Sequence, residues 1–106
     1  MDIYEVFIEV CPLAECSVIS GNDVSGAFVS CFVAATDLEA SIAAMKIRLA
    51  DDKLQLLDLQ SVARVNSDEW VPYDDNYPTR EELYEIARRG DVAYGPFNCY
   101  TSASSH

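Results

Sequence analysis

The chain of 106 residues is 50% hydrophobic and 24% charged, and its 18 acidic side chains outnumber seven basic ones to give a net charge of −11. One hydrophobic core fits this length, and the composition excludes disordered, collagen-like and low-complexity chains. The acidic surface excludes a nucleic-acid partner, because phosphates are bound by Lys and Arg. A membrane partner is not expected either, since no apolar run reaches the roughly 18 residues that a membrane helix needs.

The N-terminal residues and the cysteines predict the compartment of the protein. Residues 1–10 include an acid at position 2 and lack the basic region and cleavage site of a secretory signal, so we expect a cytoplasmic protein. Four cysteines are then expected to be reduced thiols: Cys11, Cys16, Cys31 and Cys99. Their spacing does not fit a zinc site. The sequence also contains no glycine-rich phosphate loop and no calcium-loop spacing, so we predict neither a metal nor a cofactor.

Two strands open the predicted fold. Residues 3–10 alternate as a strand does, with one wholly apolar face and a second face on which two acids separate apolar side chains. Residues 11–25 are expected to form a polar connection with turn signals at Pro12 and at 20–23. Residues 26–35 are apolar on both faces, which is typical of a central strand covered on both sides.

Two helices and two further strands follow. Thr36 and Glu39 have the spacing of a capping box, which starts a helix that runs to about Ala50. A third strand with a bulge or bend is expected within 54–65. A second capping box begins at Thr79 and starts a short helix. Gly90 suits the left-handed C-cap of that helix, and the last strand is expected within 92–99.

This order of elements predicts an α+β fold, in which a four-stranded, mostly antiparallel or mixed sheet carries two helices on one face as a two-layer sandwich. The order strand, strand, helix, strand, helix, strand resembles the ferredoxin-like or split β-α-β class, with the first helix placed one strand late. The resemblance covers element order alone and implies no site residue. We expect residues 1–100 to form a single domain and residues 101–106 to form a flexible polar tail.

The residue types present argue against catalysis. The only histidine is His106, whose terminal position is badly placed for a Ser-His-Asp or Cys-His arrangement. The carboxylate pairs Asp51-Asp52 and Asp74-Asp75 are more typical of solvated turns than of a metal or acid-base site. We therefore predict no catalytic residue, and a binding function rather than an enzymatic one.

The segment 66–79 carries the candidate partner-binding site, in which Trp70, Tyr73 and Tyr77 are interleaved with acids. An aromatic face beside a carboxylate suits a cation, and Trp and Tyr anchor protein interfaces. We expect this site to engage a basic protein surface. In size and charge the chain is similar to acidic inhibitors of the immunity type and to acidic regulatory modules. Four acids supply the charge: Asp68, Glu69, Asp74 and Asp75.

Two alternatives remain open for the same segment. In the first, a pocket between the sheet and residues 66–79 binds a small amine or other cation, as a ligand-binding protein or an enzyme. In the second, Trp70 closes one end of the core, and Tyr73 and Tyr77 lie over it as packing residues.

Self-association is a third use of the predicted fold. Two helices on one face leave the other face of the sheet partly bare, and a bare apolar patch usually marks an interface. A twofold homodimer is the commonest way to cover such a patch, and the chain would then act as a self-associating structural subunit. The predicted self-association face contains four residues: Ile3, Phe7, Phe28 and Phe32.

Overall fold

A computed structural model of the protein describes residues 1–19 and 24–101. It confirms the α+β class and the predicted order of elements, except that the last strand is divided into two by Gly95 and Pro96. The turn signals at 20–23 and the tail from residue 102 onward lie outside the described residues. The elements are β1 (Asp2–Pro12), β2 (Gly26–Ala35), α1 (Leu38–Asp51), β3 (Leu54–Val65), α2 (Arg80–Arg89), β4 (Val92–Tyr94) and β5 (Asn98–Tyr100).

The strands form one antiparallel sheet in the order β3-β1-β2-β4, and β5 pairs with β2 on the same side as β4. Ile3 of β1 lies opposite Ala34 of β2 and opposite Val65 of β3. The pairing of β1 with β3 shifts register twice, which confirms the irregularity predicted for the third strand. β1 and β2 are the interior strands, as the apolar character of both faces of β2 predicts.

The two helices pack on opposite faces of the sheet. Met45 and Leu49 of α1 contact a core cluster built from alternate residues of β1 and β2. Leu83 of α2 contacts a second cluster that contains Ile3 and Phe32, which alternate with the residues of the first. Because successive strand residues point to opposite faces, the predicted placement of both helices on one face is corrected. The physical reason is that β2, apolar on both faces, needs a cover on each. Neither described helix has the length and apolarity to span a membrane.

The start of α1 differs from the prediction by one residue. The N-cap is Asp37 rather than Thr36, and the Asp37 carboxylate accepts a hydrogen bond of 2.7 Å from the backbone N–H of Ala40. Both residue types are good N-caps, and the side-chain hydrogen bond together with the extended backbone identifies Asp37 as the cap.

We expect Asp37→Ala to lower the free energy of unfolding by about 1 kcal/mol, because it leaves helix-start amides without an acceptor. Thr36→Ala is the matched control, and its effect should stay within about 0.5 kcal/mol. Urea denaturation followed by circular dichroism measures both changes. A larger loss for the Thr36 variant than for the Asp37 variant would contradict this assignment of the cap.

Asp52, an acid that opposes the dipole at the C-terminus of α1, is held by a polar network. Its carboxylate forms an ion pair of 2.9 Å with Arg48 and accepts a hydrogen bond of 2.6 Å from Tyr94 Oη. Arg48 also donates to the carbonyl oxygen of Val92 at 2.9 Å. Burial and the bond to Asp52 raise the pKa of Tyr94, so its hydroxyl stays protonated and continues to donate. This network joins α1 to β4.

The start and the end of α2 confirm the prediction. The Thr79 side chain accepts from the backbone N–H of Glu82, the Glu82 carboxylate accepts from that of Thr79, and each bond is 3.1 Å long. Gly90 ends the helix with a φ of 65°, a left-handed conformation that strains residues with a Cβ. The capping box therefore holds the end of the segment that precedes α2 against the first turn of the helix.

Candidate functional site

Trp70 fastens the segment 66–79 to the second core cluster. Its ring meets Phe32 edge to face at 5.4 Å between centroids, and its Nε1 donates a hydrogen bond of 2.7 Å to the carbonyl oxygen of Pro78. The ring is half-buried, and its one donor is satisfied inside the protein. Trp70 is therefore placed as a packing residue that orients its neighbours, rather than as an open contact for a partner.

The two tyrosines of the same segment occupy different environments. Tyr77 is half-buried, with its ring 6.3 Å from that of Phe32, whereas Tyr73 is 86% exposed and lies 5.8 Å from the ring of Tyr77. Burial raises the pKa of Tyr77, and the carboxylates of Glu5 and Asp74 raise it further. Tyr73 is thus an exposed ring braced by a second ring that has carboxylates beside it.

The four predicted acids of the segment are also divided. Asp68 accepts a hydrogen bond of 2.5 Å from Tyr84 Oη and so joins the segment to α2. Asp74 accepts one of 2.8 Å from the backbone N–H of Asn76, which shapes a local turn and leaves its charge in solvent. Glu69 and Asp75 are exposed. All four acids are therefore on the surface, and Asp68 is the one whose carboxylate bonds to a side chain of α2.

An acidic groove of about 510 Å³ lies between residues 75–78, α2 and β4. Tyr77 lines it at one side, and Arg89 is the basic residue of its described lining. Glu81 of α2 accepts no hydrogen bond from a described side chain, so its carboxylate faces solvent in the groove. The carboxylates that line the groove are Asp75, Glu81, Glu82, Glu85 and Asp91.

Sequence reasoning did not identify the α2 side of this groove. Glu81 and Glu85 are four residues apart and therefore lie on one face of a helix, while Leu83 and Ile86 face the core. That spacing was the one feature of the sequence that pointed to an acidic face on α2. It was not informative alone, because acids on a helix usually form a solvated face, and only the fold shows that residues 75–78 stand opposite them.

The arrangement suits the binding of a cation. Carboxylates on two sides of a groove attract an ammonium or guanidinium group, and the rings at one end offer the π faces on which such groups stack. In the described part of the chain, no three Cys, His, Asp or Glu side chains converge as metal ligands would.

The predicted self-association face is divided in two by α2 and the segment 66–79. Ile3 and Phe32 are buried in the second core cluster, beneath residues that include Leu83 and Trp70, so this part of the prediction is corrected. The cause is the position of α2, which covers the face expected to be bare. Phe7 and Phe28 remain half-buried, and their rings stack 6.1 Å apart.

The cysteines differ in reactivity because they differ in burial. Burial raises the pKa of the Cys31 thiol to about 12, while Cys99 is exposed. We expect a thiol reagent at pH 8 to label Cys99 rapidly and Cys31 only after denaturation, since the thiolate is the reactive form. Mass spectrometry of digested, labelled protein separates the two sites. Equal labelling rates for Cys31 and Cys99 in native protein would contradict the burial of Cys31.

The chain gives no match to any protein-family model and no significant match to a curated protein or to a solved structure. A proposal for its function therefore rests on the residues and geometry above.

Proposed function

We propose that the protein is a non-catalytic binding module that engages a basic surface of another protein. The observation that carries this proposal is the exposed ring of Tyr73, close to a groove lined by five carboxylates and by Arg89. The binding site consists of the segment 66–79 and the groove, and its partner supplies Lys or Arg side chains.

The charge of the chain favours this class of partner. A net charge of −11 on 106 residues produces a field that speeds encounter with cationic surfaces, and this effect weakens as salt rises. Asp74 and Asp75 follow Tyr73 directly in the chain and are exposed, so the field and the aromatic contact act in the same segment. The contact then retains a partner that the field has attracted.

The packing beneath the site reduces the conformational entropy lost on binding. Trp70 is held by Phe32 and by the carbonyl of Pro78, and Tyr77 packs against Phe32 and braces Tyr73. A ring held in place before binding loses less side-chain freedom than one on a flexible loop. We therefore assign Trp70 and Tyr77, the two half-buried rings of the predicted site, the role of holding Tyr73 in place.

A titration with a peptide rich in Arg and Lys and free of apolar residues tests the site. Tyr73→Ser should weaken binding about threefold, the loss that corresponds to one exposed cation–π contact of about 0.6 kcal/mol. Ile47→Ser is the matched control, because Ile47 is 66% exposed on α1, across the sheet. Equal affinities for the two variants would contradict a role for Tyr73.

A small cationic ligand is the second candidate, and the volume of the groove favours it. About 510 Å³ lies within the roughly 300–1,000 Å³ typical of small-molecule sites. A linear polyamine is the appropriate probe, because its amines are spaced to meet successive carboxylates. Saturable binding of the polyamine that Glu81→Gln weakens, together with no effect of Tyr73→Ser on the basic peptide, would favour the ligand over the protein partner.

Two finer proposals, on location and on fold relation, accompany this one, and a third competes with it. A cytoplasmic location is supported by the exposed thiol of Cys99, which a reducing compartment would keep reduced. A relation to the ferredoxin-like class is supported by the antiparallel sheet with two helices, although α2 lies on the other face. A homodimer is the competing alternative to another protein as partner. It would pair what is left open of the predicted face, Phe7 and Phe28, and sedimentation of the protein as a dimer would favour it.

A further inference from the structure

The half of the sheet face that α2 leaves uncovered carries a continuous aromatic patch. Phe7 stacks on Phe28 at 6.1 Å between centroids, and Phe28 meets Tyr100 at 5.8 Å. Tyr100 lies across Gly26, where an added Cβ would collide with the phenol ring, and its hydroxyl donates to the Glu9 carboxylate. The absence of a side chain at Gly26 therefore permits the third ring of the patch.

The surroundings of this patch are acidic. Glu5 and Glu9 belong to the same face of β1, and Asp58 of β3 is directly opposite Glu9 in the register. Strand residues of this face that the structure describes include no Lys or Arg. An apolar centre with carboxylates around it is complementary to an apolar stripe flanked by bases.

The covered half of the same face indicates which kind of structural element would bind to the aromatic patch. There, α2 places Leu83 and Ile86 on Ile3 and Phe32, and so forms the helical layer on this side of the sheet. The aromatic patch continues the same surface beyond Phe32, and a helix laid on it extends that layer. Lys or Arg side chains at the edges of such a helix rest their methylene stems on the rings and extend their charged ends to the carboxylates.

We propose that the aromatic patch, formed by Phe7, Phe28 and Tyr100, docks a basic amphipathic helix of a partner protein. This surface is distinct from Tyr73 and the acidic groove, and the proposal does not depend on them. A second copy of this chain is a poor occupant, because a twofold contact through the patch brings Glu5 and Glu9 of one copy close to those of the other. Each copy also carries a net charge of −11, which adds to the repulsion.

The test uses a labelled synthetic peptide of about four helical turns, with Leu along one face and Lys along the other. A scrambled isomer has the same composition and charge but no apolar face. Fluorescence anisotropy with the whole protein should show the amphipathic peptide binding at least about tenfold more tightly than the isomer. Sedimentation of the protein alone should show a monomer.

Variants locate the binding site of the peptide. Phe28→Ala should weaken binding by about tenfold. Asp58→Lys should weaken it by at least about threefold, and this variant retains the patch if the alanine variant fails to fold. Two charge reversals elsewhere, Glu39→Lys on α1 and Glu81→Lys in the groove, should change the affinity less than about twofold. If the Arg- and Lys-rich peptide does not bind in the groove, these expectations for the amphipathic peptide stay the same. The proposed function and the docking of a helix on the patch are therefore tested separately.

Two outcomes would overturn the proposal. In the first, the isomer binds as tightly as the amphipathic peptide, or Glu39→Lys weakens binding as much as Asp58→Lys, and the attraction is then general electrostatics. In the second, the protein sediments as a dimer that Phe28→Ala converts to a monomer, and a second copy is then the occupant of the patch.

Discussion

Phe32→Ala is expected to lower the free energy of unfolding by about 3–5 kcal/mol. The ring is fully buried at the centre of the second core cluster, where Trp70 and Tyr77 both meet it edge to face. Its removal leaves a cavity and also deletes the surface on which the segment 66–79 rests. Urea denaturation measures the loss in stability.

The same variant tests whether the candidate site depends on the core. Trp70 is the one tryptophan of the chain, so a shift of its emission to longer wavelength under native conditions reports release of the segment. Phe28→Ala is the matched control, because Phe28 lies on the same strand and the same face but is only half-buried. A loss of stability for Phe32→Ala no greater than that for Phe28→Ala would contradict the packing described here.

The double reversal Glu81→Lys with Glu85→Lys is expected to weaken binding of the Arg- and Lys-rich peptide by at least about tenfold at low salt. Two of the five groove carboxylates become cations, and the peptide then meets like charges in the groove. The ion pair of 2.5 Å between Glu85 and Arg88 is also lost, but both partners are exposed, so the fold should remain.

The control for this variant is a second double reversal that has the same net charge. Glu39→Lys with Asp51→Lys makes the same change of charge on α1, on the opposite side of the sheet. Titrations of both double variants with the peptide, at low and at physiological salt, separate the effect of where the charge lies from the effect of total charge on the affinity. Equal weakening by the two would show that the peptide responds to net charge alone, and the groove would lose its special role.

Much of the fold could be predicted because the deciding signals are local. The capping box at Thr79 and the cap at Gly90 fixed α2, and the two-faced apolar pattern of residues 26–35 identified the central strand. The side of the sheet that α2 takes is set by tertiary packing onto Ile3 and Phe32, which no local pattern encodes. The apolar pattern on both faces of β2 indicates that each face needs a cover, but it does not indicate which helix covers which face.

The candidate site was predicted less completely, because it too depends on tertiary packing. The composition of the segment 66–79 identified the aromatic and acidic residues, but exposure separates their roles. Trp70 lies on Phe32 while Tyr73 lies in solvent, and the sequence treats the two as equivalent anchors. The groove was missed because Glu81 and Asp75 approach each other only after α2 folds back beside the segment.

Site-specific photo-cross-linking in cells tests the central claim most directly. Tyr73 is replaced by a photoreactive phenylalanine derivative, and Ile47 is replaced by the same derivative as the control; both positions are exposed, so the fold tolerates the change. We predict that position 73, and not position 47, forms adducts with proteins of net positive charge, and that in cell extracts these adducts decrease as salt rises. The same adducts from both positions, or adducts at position 73 with acidic proteins that do not respond to salt, would contradict the proposed function.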